Sequence, residues 1–169
     1  MMKRMWMVVM LCLLALPFST AAKERSSGSL DMSKVHRIFI GWAAIDANYS
    51  KLGYATRKEW QSVVEDANAH FQDEFRASGL SKGREVIGAR NAEDQDSKGY
   101  DLYIKPTEVS FDYGYRLHFA ADIVDAITGT TLVHLDTKTY GAHFCAMTGC
   151  LNKELDKAIE DIEDRIGTK

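Results

Sequence analysis

Apolar side chains at Trp60, Val63, Val64, Ala67, Phe71 and Phe75 recur at steps of three and four residues. That spacing puts them on one stripe of an α-helix. The helix opens on Thr56-Arg57-Lys58-Glu59, a capping box. There the Thr hydroxyl accepts from the third helical amide while the Glu carboxylate reaches back to the cap. Gly79 is placed to end the helix. A helix with one apolar stripe must bury it against a second layer. Leu151, Leu155, Ala158, Ile159, Ile162 and Ile166 form a second such stripe, stopped by Gly167.

The segments between the stripes read as strands. Val35–Trp42 is a short, strongly apolar run with the character of a buried strand. Arg84–Ala89 is a shorter candidate. Tyr100–Val109 alternates, with Leu102 and Ile104 on one face, and Pro106 marks an edge or a bulge. Tyr115–Val124 and Thr131–Tyr140 alternate around Asp125-Ala126-Ile127-Thr128-Gly129, which predicts a hairpin. The expected fold is α+β. It has one mixed, mostly antiparallel sheet of about five strands, in β-α-β-β-β-β-α order, with both helices on one face. A single crossover predicts one parallel pair. Trp60, Val64, Phe71, Leu117, Phe119, Leu155, Ile159 and Ile162 are the expected core.

The amino terminus reads as an export signal rather than part of the fold. Lys3 and Arg4 precede an apolar run from Trp6 to Leu16, and the segment closes on Ser19-Thr20-Ala21-Ala22. The run has 11 residues, against about 20 needed to cross a bilayer. Cys12 lies inside the run, so lipid attachment is not expected. Cleavage after Ala22 leaves residues 23–33 as a flexible lead-in and 34–169 as one domain. It removes two of 21 basic residues and none of 24 acidic ones, taking the net charge from −3 to −5. An acidic mature chain disfavours nucleic acid as a partner. The expected location is the periplasm or the exterior, with no transmembrane segment in the mature chain.

The chain order, the Asp125–Gly129 turn between two late strands and the closing helix resemble small exported bacterial domains. These include the amino-terminal domain of TolB, the periplasmic domain of the LpoB lipoprotein and the core of CsgG. The resemblance spans Val35 to Gly167 as a layout. It implies a non-enzymatic adaptor or assembly factor of the Gram-negative envelope.

Cys145 and Cys150 are the two cysteines left after cleavage. An oxidising compartment favours a disulfide between them. A zinc site would draw on His143, Cys145 and Cys150, with His134 or Asp136 as fourth ligand, and would make the protein a small metal-dependent enzyme or hydrolase. Zinc sites usually show two tight ligand pairs, and only one loose cluster is present. Phosphate-binding and nucleophile-elbow motifs are absent. Asp94-Gln95-Asp96-Ser97-Lys98-Gly99 starts like a calcium loop, but lysines occupy its fifth and twelfth positions. No cofactor is expected. The connection Ala43–Ala55 is 13 residues long, beyond the usual length between a strand and a helix. Trp42, Asp46, Tyr49 and Tyr54 cluster there beside Trp60. Amphipathic aromatics on such a loop suit a peptide, a glycan or another envelope protein. The competing reading packs the two tryptophans into the core.

Overall fold

The computed structural model describes residues 30–141 and 147–166. The expected signal segment, residues 23–29 of the lead-in, His143 and Cys145 lie outside the described residues.

The chain runs through β1 (Arg37–Ile40), β2 (Asp46–Ala47), α1 (Arg57–Ala77), β3 (Glu85–Gly88), β4 (Leu102–Phe111), β5 (Arg116–Asp125), β6 (Thr131–Gly141) and α2 (Met147–Ile166). The fold is α+β, with a six-stranded mixed sheet in the order β3-β1-β4-β5-β6 and β2 alongside β4. Both predicted helices form where the periodicity places them. At the start of α1, Glu59 N donates to Thr56 Oγ1 at 3.2 Å and Thr56 N to Glu59 Oε2 at 3.4 Å. Gly79 does not itself cap α1. The helix ends at Ala77 with Ser78 as cap, and Gly79 begins a 3-10 turn.

The long ladders, β4 with β5 and β5 with β6, are antiparallel. The β4–β5 register shifts at Pro106, the expected bulge. At the β5–β6 turn, the amides of Ile127 and Thr128 donate to Asp125 Oδ1, and Gly129 takes φ 71°.

Three pairings are parallel, where the sequence predicts one: β1 with β3, β1 with β4 and β2 with β4. The reason lies in β1. Ile38 and Ile40 are fully buried on the helix side and Phe39 is 3% exposed on the other. A strand apolar on both faces belongs in the sheet interior, with parallel neighbours supplied by returning connections. Phe39 is covered by Tyr100 and Tyr103, with ring centroids 5.1 and 5.5 Å away.

That cover corrects the reading of residues 91–99 as a purely solvated loop. Gln95 Oε1 accepts from Tyr103 Oη at 2.8 Å and from Trp42 N at 3.4 Å. Gly41 permits this approach, because a Cβ there would lie 2.9 Å from the Tyr103 ring. The lead-in is also packed at its end. Leu30 and Met32 lie against the core, and Arg84 Nη2 donates to Met32 O at 2.7 Å.

All eight expected core residues are buried between the helices and one sheet face. Among the described residues no helix is long and apolar enough to cross a membrane.

Candidate functional site

The 13-residue connection is not a free loop. After β1 the chain leaves the edge of β4, folds toward α1 and returns to the same edge as β2. Ala43 and Ile45 are buried along the way, and Leu52 is buried beyond β2. Two side chains of α1 hold the excursion. Asn68 Oδ1 accepts from Ala43 N at 2.8 Å, and Asn68 Nδ2 donates to Ala43 O at 2.9 Å. Trp60 Nε1 donates to Ile45 O at 3.1 Å. A carboxamide that pairs with both backbone groups of one residue acts as a strand neighbour would.

Between this excursion and the first two turns of α1 runs an open groove of about 450 Å³. Trp60 and Val64 form its apolar floor, and Trp42, Asp46, Tyr49, Arg57, Gln61 and Ala92 its rim. A shallower extension passes Trp42 and Gln61 toward Glu65, Arg90 and Glu93. Trp42 and Tyr49 are half-buried, while Asp46, Arg57 and Gln61 are exposed. Among the described residues, the side chains of Asp46 and Arg57 have no hydrogen-bond or ionic partner. Gln61 makes one long contact, Nε2 to Glu65 Oε1 at 3.4 Å. The groove therefore offers two half-buried aromatic side chains, one free carboxylate and one free guanidinium on a fixed frame.

Trp42, Asp46 and Tyr49 thus share one groove. Tyr54 sits apart from it. Its ring lies 5.6 Å from Trp60, and burial, with Tyr115 nearby, raises its phenol above the ordinary value. Trp60 is 7% exposed and belongs to the core while flooring the groove. Arg57 and Gln61 were not singled out from the sequence. Their i, i+4 spacing on the polar side of α1 is the signal that points to them. Ala92 has no such signal, because it arrives from a connection far along the chain.

Of the histidine and cysteine candidates, the described ones, His134 and Cys150, lie apart. Cys150 is 1% exposed in the core at the start of α2. His134 lies on the opposite sheet face, with Nδ1 2.6 Å from Asp122 Oδ1 and Nε2 3.5 Å from Asp136 Oδ1. Among the described residues no group of three or more His, Cys, Asp or Glu is arranged to hold a metal ion.

No family model and no curated protein matches the chain. Among solved structures it is similar to the PelC dodecamer from Paraburkholderia phytofirmans, at 14% identity and TM-score 0.46 over 74% of this chain and 86% of that one. A PelC variant in another crystal form gives 12% identity and TM-score 0.44, over 74% and 87%. A hemagglutinin homolog from Helicobacter pylori gives 11% identity and TM-score 0.39, over 80% and 87%. At these identities and scores, any functional reading rests on the chemistry of the groove.

Proposed function

We propose that this chain is an exported, non-catalytic binding protein of the cell envelope that holds a saccharide in the Trp42 groove. The observation that carries this reading is the meeting of two half-buried aromatic side chains, Trp42 and Tyr49, with the unpartnered Asp46 and Arg57 in one groove. A sugar ring presents an apolar face and a rim of hydroxyls that both donate and accept. Trp42 and Tyr49 suit the face, and Asp46, Arg57 and Gln61 suit the rim. A peptide would need deeper apolar pockets or a long free strand edge, and β2 has only two residues. The described groove residues include no histidine, cysteine or serine, and Asp46 is the one carboxylate among them. The layout resemblance to envelope adaptors belongs to the same proposal.

Intrinsic fluorescence and calorimetry with a panel of linear neutral oligosaccharides test the reading. Trp42→Ala should weaken binding by at least about tenfold, the scale of a truncated aromatic anchor. Circular dichroism should show the fold retained. Equal affinity of the variant and the native chain for every binding member sinks the saccharide reading. Capture of extended peptides instead, with the same Trp42 dependence, moves it to a peptide.

Export and the disulfide form a second expected result. Intact mass of natively expressed protein should begin near Lys23 with no acyl group. Thiol counting under denaturing, non-reducing conditions should find neither Cys145 nor Cys150 free. The bond closes a short loop, so its reduction should cost only about 2 kcal/mol. An acylated or full-length mass rejects the export route, and two free thiols reject the bond.

A further inference from the structure

We propose that Asp46-Ala47-Asn48-Tyr49-Ser50 is an acceptor for N-linked glycosylation, with an oligosaccharide joined to Asn48 after export. This rests on the export in the reading above and is independent of what the groove binds.

The first argument is the motif. Asn48-Tyr49-Ser50 has the spacing of a glycosylation acceptor, an asparagine followed two residues later by a hydroxyl, with no proline between them. Asn68, Asn91 and Asn152 have His70, Glu93 and Glu154 two residues on, so none of them shares it. Asp46 adds an acid two residues before Asn48, the extended acceptor that bacterial oligosaccharyltransferases read. A carboxylate there gives a cationic enzyme site a charge to pair with.

The second argument is presentation. Asp46, Asn48 and Ser50 are all exposed, where the chain leaves the short strand β2. Asn48 opens a surface turn, its carbonyl accepting from Lys51 N at 3.0 Å. Surface turns of this kind are where acceptor asparagines of exported proteins lie. Ser50 Oγ donates to Asn48 Oδ1 at 2.9 Å. The amide and the hydroxyl that the enzyme must grip together therefore already stand side by side. Asn48 Nδ2 has no hydrogen-bond partner among the described residues. Ala47 and Tyr49 line the Trp42 groove and Asn48 does not, so attachment at Asn48 leaves the groove lining unaltered.

The transfer needs one co-reactant, an oligosaccharide carried on a polyprenyl diphosphate. Asn48 Nδ2 bonds to the anomeric carbon of that oligosaccharide. The bond from the same carbon to the diphosphate oxygen breaks, and its electron pair leaves with the polyprenyl diphosphate. Nδ2 gives up one proton, and nothing is oxidised or reduced.

The test is mass spectrometry of the chain purified from the envelope of its native host, intact and after tryptic digestion. Asn48 falls in the peptide Ile38–Lys51. That peptide should carry an added mass that fragments as a series of sugar units, on a chain that begins near Lys23. Asn48→Gln and Ser50→Ala should each abolish the added mass, and Ser50→Thr, which keeps the hydroxyl, should retain it. Asp46→Asn should remove most of it. A bare Ile38–Lys51 peptide on a chain that begins near Lys23 overturns the acceptor and leaves the export reading standing. A chain that keeps Met1 to Ala22 overturns the export reading and the acceptor with it. Sugar that persists in Asn48→Gln places the attachment elsewhere and overturns the proposal. Full occupancy in Asp46→Asn overturns the five-residue acceptor.

Discussion

Asn68→Leu should destabilise the fold by about 2–4 kcal/mol and displace the groove in the same step. Asn68 is 1% exposed, and it satisfies both backbone groups of Ala43, itself 1% exposed. It also donates to Val64 O at 2.8 Å, which locks the carboxamide in one orientation. Leucine keeps the branched outline and the same number of side-chain heavy atoms, and supplies neither a donor nor an acceptor. Ala43 is then left with a buried amide and a buried carbonyl, each costing about 1–3 kcal/mol if unpaired. The excursion that carries Trp42 and Asp46 would have to move toward water to recover those bonds. Chemical denaturation reads the first effect, and the shift of tryptophan emission reads the second. A loss below about 1 kcal/mol with unchanged emission would show that Ala43 is held by something other than Asn68.

Phe71→Ala should cost about 3–5 kcal/mol, the range for a buried aromatic truncated in a packed core. Phe71 is fully buried on α1, and its ring lies 5.8 Å from that of Phe119 on β5. The substitution opens a cavity where the helix layer meets the sheet at Phe119, among residues that do not line the groove. It should therefore lower stability while saccharide affinity of the folded fraction stays near that of the native chain. Urea unfolding followed by circular dichroism gives the number. A cost under about 1 kcal/mol would mean that neighbouring side chains collapse into the space.

The two substitutions differ in what made them foreseeable. Phe71 is visible in the sequence, because its membership of the stripe depends only on residues three and four positions away. The same locality makes the Thr56–Glu59 box, the α2 stripe and the Asp125–Gly129 turn legible, and it correctly buries Leu117, Ile159 and Ile162. Asn68 carries no such signal. A polar residue inside a helix normally faces water, and its burial follows only from Ala43 arriving beside it from 25 residues earlier. The candidate site divides the same way. Trp42, Asp46 and Tyr49 stand out as a local cluster of binding-type side chains, whereas Tyr54 belongs to that cluster in sequence and packs elsewhere in space.

The sequence by itself therefore determined the two helices, the hairpin, the core-facing stripes and the α+β class, since each follows from short-range periodicity and turn chemistry. Tertiary structure alone decided that β1 pairs with both β3 and β4, that β2 exists, that Gln95 ties residues 91–99 to Tyr103, and that Arg57, Gln61 and Ala92 meet Trp42 around one groove. Those outcomes depend on which strand edges pair and which buried backbone groups find partners. Such choices are made between segments tens of residues apart, where local pattern carries no information about which partner wins.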